Sequence, residues 1–261
     1  MNGVAPWESF WFKQVPAYRL AFFRMAVATT TILIFIPHLD RVIYNYLASS
    51  FHTPMISWLP TLPAHTGRAL VLAQYTAAMG LLLGFLPRLG AGFLAASGLY
   101  VFLSDTRHYS HWGQFHLILL ALLACSKDRL PLWRLFRKNN ATMTCEAWTE
   151  HLIRFQLSIV LFYSAIDKVF SPYWGVSGTF FTTERGASAM TNFLLLSYPS
   201  AASILVIGLE FFLAAAFLFR PLWRIAALVG LGFAIALQLL IKPVAFAWDF
   251  MAVLILFLKR V

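Results

Sequence analysis

Eight long runs of predominantly apolar side chains divide this sequence, and they limit what it can fold into more than any other feature. They cover Leu20–Pro37, Ala69–Leu86, Gly90–Ser104, Trp112–Cys125, Glu150–Asp167, Ala201–Phe219, Leu222–Ile241 and Val244–Leu258. A bilayer core needs about 17–25 apolar residues per helix, because every backbone donor and acceptor must find its partner inside the segment. Of the 261 residues, 60% are hydrophobic and 11% charged, and the apolar ones come in blocks, not at amphipathic spacing. A soluble domain of this size could not bury them. The predicted fold is therefore all-α, a polytopic transmembrane helix bundle of about eight spans. The third and fourth runs are short, but Asp105-Thr106-Arg107-His108-Tyr109-Ser110-His111 between them is too polar for lipid, so they count as two helices.

Orientation follows from the lysines and arginines. Eight spans put both termini on one side. Twelve basic residues (Lys13, Arg19, Arg88, Lys127, Arg129, Arg134, Arg137, Lys138, Arg220, Arg224, Lys259 and Arg260) share that side. Only six (Arg41, Arg68, Arg107, Lys168, Arg185 and Lys242) fall on the other, with Arg24 and Arg154 inside spans. Both termini are thus expected in the cytoplasm, with a bacterial inner membrane as the setting. The net charge of +10 reads as topology, since no basic stripe or reading motif points to nucleic acid.

Residues 1–18 are expected to form an interfacial amphipathic segment on the inner leaflet, with Trp7, Phe10, Trp11 and Phe12 beside Glu8 and Lys13. No cleavable signal is expected, because the first run is long enough to stay as a span. Residues 127–149 form a basic cytoplasmic loop too short to fold alone, so residues 1–261 read as one domain. Cys125 and Cys145 both face a reducing compartment, and no disulfide is expected. Gly80 and Gly84 read as a pair that lets two helix backbones approach.

Ionisable side chains in a bilayer are costly and face the bundle interior, so each is a candidate site. Arg24 and Arg154 either snorkel to the inner headgroups or act inside the bundle. Glu210 and Asp249 read as a buried ion pair or as protonated acids that hold helices together, and His116 as a packed core histidine. A second group gathers at the outer side, where Asp105, His108 and His111 lie between the third and fourth spans and Asp167 and Lys168 end the fifth. A lysine at a helix end among apolar neighbours loses hydration, which opens a role as a neutral base. The alternative is snorkelling to the outer interface beside Tyr173 and Trp174. His108 and His111 with Asp105, completed by His52 or His65, resemble part of a metal site, but no ligand motif supports one and no metal is expected.

The stretch Leu152-Ile153-Arg154-Phe155-Gln156 through Tyr163-Ser164-Ala165-Ile166-Asp167-Lys168, followed by Trp174, resembles the helix of vitamin K-dependent γ-glutamyl carboxylases that ends in their catalytic lysine. Arg19-Leu20-Ala21-Phe22-Phe23-Arg24 resembles the start of that family's first helix, and Tyr100 to Asp105 the approach to its histidine-bearing outer loop. The likeness covers nearly the whole chain and extends to the wider group of HTTM (horizontally transferred transmembrane) domain proteins. In the carboxylases the lysine deprotonates reduced vitamin K, oxygen adds, and the strong base so formed removes a glutamate proton before carbon dioxide enters. The resemblance implies Lys168 as the base and His111, with His108 as the neighbouring alternative, as the supporting loop histidine. Asp105, Tyr163, Trp174, Arg154 and Glu210 are implied around the quinone pocket, and reduced vitamin K, a menaquinol-type quinol, as the cofactor. Two features depart from the family. The carboxylases carry a large extramembrane substrate-binding domain after the bundle, where this sequence ends at Val261, and Leu222 to Ala245 contain no histidine where the family's penultimate helix has one.

Two functions are therefore expected. One is a lysine-base membrane enzyme acting on a quinol or another lipid-soluble substrate at the outer leaflet, with a peptide or protein partner. The other is a non-catalytic membrane subunit, accessory to peptide export or to a quinone-linked redox partner. For the enzyme, Lys168 and the His108 to His111 loop should open onto one apolar cavity lined by Phe162, Tyr163 and Trp174.

Overall fold

A computed structural model of the chain describes residues 6–40, 55–59, 63–104, 110–127, 130–131, 143–171, 198–240 and 245–257. Helices account for most of them, as the apolar runs require. They are α1 (Pro6–Trp11), α2 (Ala17–Asp40), α3 (Ala64–Leu83), α4 (Pro87–Ser104), α5 (His111–Cys125), α6 (Trp148–Phe170), α7 (Pro199–Ala216), α8 (Trp223–Leu240) and α9 (Ala245–Leu254). Each of the eight apolar runs is helical over most of its described residues. Two of the described helices, Ala17–Asp40 and Arg220–Gln238, are long and apolar enough to cross a membrane, and His111–Cys125, Ser200–Ala216 and Phe246–Phe257 are shorter apolar helices. The chain divides into two compact units, Met1–His151 and Leu152–Val261, with α6 beginning in the first and continuing into the second.

In the first unit α3 packs on α2 and α4, and α4 on α5. Phe35 is at the centre, edge-on to Phe102 and Trp112 and 4.5 Å from the His116 ring. Gly113 is required here, because a Cβ at that position would run into the Phe102 ring. The expected end of the first span at Pro37 is corrected, since α2 continues to Asp40 through a π-helical turn at Thr31–Phe35. A proline clashes with the carbonyl four residues before it, and a wider turn ahead of Pro37 relieves that clash. Within this turn the Thr31 hydroxyl donates to the Val27 carbonyl at 2.8 Å. That uses its only proton, so the 3.0 Å bond to His116 requires His116 Nε2 to be the donor.

Two further expectations change. Of the expected interfacial segment, residues 6–18 are not one continuous helix, because after α1 the chain turns into a strand, β1 (Gln14–Pro16), paired antiparallel with β2 (Thr144–Glu146). Ala17 N–H donates to Met143 O and Ala147 N–H to Lys13 O, which extends the ribbon at both ends. Three-residue strands have too little alternation to be read from sequence. Gly84 is not a helix-packing residue but the left-handed cap of α3, with φ 75°. A Cβ there would lie 2.8 Å from the Arg24 guanidinium and 2.9 Å from the Leu130 carbonyl. Arg24 itself is fully buried and donates to Leu130 O at 2.6 Å, so it serves the interior and does not snorkel. Cys125 and Cys145 are free thiols.

In the second unit α8 packs on α7 and α9. Phe217 stacks obliquely on Phe257 at 4.4 Å, and Phe250 meets both Phe217 and Phe233 edge-on. At this end Arg154 donates to the Leu256 carbonyl, and its guanidinium carbon lies 4.4 Å from the Trp223 ring centroid. Arg154 is therefore an interior residue as well, held by a carbonyl and an aromatic face.

A lysine, glutamate and serine cluster as the candidate functional site

The residue with most chemistry in the second unit is Lys168, two residues before the end of α6. Its amine lies 2.9 Å from each carboxylate oxygen of Glu210 on α7, and it also donates to the Ser164 hydroxyl and carbonyl. The Ser164 hydroxyl in turn donates to Glu210 at 3.1 Å. Ser164 and Lys168 are four residues apart on one helix and so share a face. Leu161 and Ala165, fully buried on the same helix, leave the pair little contact with water. The Lys168 and Glu210 side chains are 14% and 6% exposed, so Lys168 does not snorkel. Of the two readings open for Glu210, an ion-paired acid or a protonated one, its contact with Lys168 is that of an ion pair. Ser164 was missed as a site residue, although a hydroxyl one turn before the lysine was a readable signal.

The remaining candidates separate. Arg154 is fourteen residues before Lys168 on α6, about 21 Å along the axis, so it belongs to the opposite end of that helix and not to the lysine site. Tyr163 is 66% exposed and five residues from Lys168, about 140° around the helix, so it does not wall the amine. Phe162 is half exposed and meets Phe211, the neighbour of Glu210, edge-on at 5.8 Å. His111 opens α5 in the first unit, exposed, after the Ser110 hydroxyl that caps this helix through Gly113 N–H. Asp105, His108 and Trp174, and with them the expected common cavity, lie outside the described residues, as does His52. Asp249 and His116 are fully buried. Among the described residues no three His, Cys, Asp or Glu side chains gather as a metal site would.

Chemically, the triad is a proton-transfer couple with a hydroxyl attached. An amine, a carboxylate and a serine in mutual contact can pass one proton between them, and can present either a donor or a base to a molecule beside Lys168. Helices of this apolarity, with side chains such as Leu72 and Leu228 about 70% exposed, define a membrane protein. The HTTM domain family model matches residues 12–260, and the chain belongs to that family. No curated protein and no solved structure matches it.

Proposed function

We propose that this chain is a multi-pass protein of a bacterial inner membrane, with eight spans and cytoplasmic termini. In it Lys168, coupled to Glu210 and Ser164, is the base acting on a quinol or another lipid-soluble substrate. The observation that carries the reading is the largely buried contact of the Lys168 amine with both Glu210 oxygens. A lysine and a glutamate so placed in apolar helices are expensive, and such groups mark substrate or proton pathways.

The β-ribbon supports the topology independently of charge counting. It holds the entry to α2 beside the entry to α6, and the four helices between them bring the chain back to one side. Arg88, reaching the Ala124 and Cys125 carbonyls, and Lys127, paired with Glu146, lie near the same ends and suit the inner face. A reporter active only outside the cytoplasm, fused after Val261, is expected to stay silent. Strong activity would overturn the orientation. Lys168 follows Trp148 by twenty residues, about 30 Å of helix, which corresponds to the outer boundary of the hydrocarbon core.

In the proposed chemistry Lys168 first passes its proton to Glu210, leaving a neutral amine beside a neutral acid. The amine then takes the proton of a substrate hydroxyl, and the couple ends with Lys168 and Glu210 both protonated. Reduced vitamin K or a related menaquinol-type quinol fits this donor set, since it would bring an acidic hydroxyl to the amine and a flat ring to an aromatic side chain such as Phe162. When bound, such a quinol supplies the redox chemistry that the side chains lack. Extraction of the purified protein followed by mass spectrometry tests the reading. A stoichiometric quinone that is lost in Lys168→Ala is expected, and a preparation retaining only bulk phospholipid would contradict it.

One observation favours the second reading, a non-catalytic membrane subunit. Every donor of the Lys168 ammonium already has an acceptor in Ser164 or Glu210, as a purely structural pair would require.

A further inference from the structure

At the far end of the second unit, a cavity of about 400 Å³ is lined by Arg220, Pro221, Trp223, Arg224 and Phe257. We infer that it is a binding site for the headgroup of an anionic phospholipid, separate from Lys168 and independent of its chemistry.

The volume is within the range of about 300–1,000 Å³ typical of small-molecule sites. Arg220 and Arg224 are exposed, and among the described residues neither guanidinium meets a carboxylate. Two cations at the mouth of one cavity repel each other until an anion enters, and the planar fork of arginine suits phosphate oxygens. The back of the cavity is aromatic. Trp223 and Phe257 meet edge-on at 5.6 Å, and behind them, outside the cavity lining, the Arg154 guanidinium is 4.4 Å from the Trp223 centroid and 5.1 Å from the Phe257 centroid, adding a third positive charge to the local field. The Trp223 indole N–H is already engaged by the Phe217 carbonyl at 3.0 Å, so recognition falls to the two arginines. Arg220–Leu222 forms a single 3₁₀ turn leading into the eighteen-residue helix α8, whose positive end adds in the same sense.

What makes the ligand a lipid is the surface that continues from the cavity. Leu218 and Phe219, immediately before Arg220, are exposed at 54% and 60%, an apolar edge beside a cationic one. Soluble phosphate would leave that edge uncovered, whereas an acyl chain would cover it. Basic pockets between helix ends at the inner face suit such headgroups.

The test uses the full chain in nanodiscs containing equal amounts of phosphatidylglycerol and phosphatidylcholine, with retained lipid read by native mass spectrometry after release. Phosphatidylglycerol is expected to be retained in preference. Each of Arg220→Gln and Arg224→Gln should weaken that retention about fivefold, and the double variant roughly thirtyfold. Lys13→Gln/Lys127→Gln, which removes two positive charges elsewhere, should not change it. Unfolding temperatures of all variants verify that the exposed substitutions leave the fold intact. Equal retention of the two lipids, or an undiminished preference in the double arginine variant, overturns the inference. Displacement of the lipid by inorganic phosphate overturns the lipid assignment.

Discussion

Replacing Glu210 with leucine while Lys168 remains is expected to destabilise the protein by about 3–5 kcal/mol, the range for removing one partner of a buried ion pair. The loss comes from the ammonium left behind and not from the missing bond. Lys168 is only 14% exposed, so water replaces the carboxylate poorly, and Ser164 offers only neutral acceptors. The double variant Glu210→Leu/Lys168→Met removes both charges and should regain most of the loss, because well-packed apolar side chains serve as well as a desolvated pair. Denaturant titration of the four proteins in the same detergent gives the cycle. A Glu210→Leu protein as stable as the wild type would mean that the two groups do not depend on each other.

Lys168→Arg separates structure from chemistry. Arginine can keep the ion pair, since its fork meets a carboxylate through two N–H groups, so the variant should fold. A guanidinium does not release its proton in a protein, however, and cannot become the base. Turnover is expected to fall by about 10²–10⁴, the usual contribution of a positioned general base. Glu210→Gln should lower turnover as well, because an amide still accepts a hydrogen bond from Lys168 but cannot take its proton.

The helices were legible because a spanning helix is a local property. A run such as Gly90–Ser104 needs no knowledge of its neighbours, and α4 differs from it only by starting at Pro87. What could not be read depends on pairing over long separations. The strands at Gln14–Pro16 and Thr144–Glu146 are each three residues long, and nothing in either names the other. Arg24 and Arg154 stood open between snorkelling and burial, because their acceptors are backbone carbonyls, Leu130 and Leu256, and every residue has a carbonyl. Lys168 and Glu210 were both candidates, but for separate reasons and in separate groups. No spacing rule joins residues 42 apart on two helices, so their union, with Ser164 between them, appears only in three dimensions.

On the proposed reading the Lys168 couple performs proton chemistry on a lipid-soluble hydroxyl and does not merely hold two helices together. The most direct measurement is the rate at which wild-type and Lys168→Arg proteins, in matched nanodiscs and shown to be equally folded, consume a reduced naphthoquinone under oxygen. Measurable consumption by the wild type is expected, with a rate at least about a hundredfold lower for Lys168→Arg. Equal rates for the two proteins, or no consumption above empty nanodiscs by either, would contradict it and leave the pair with a structural role.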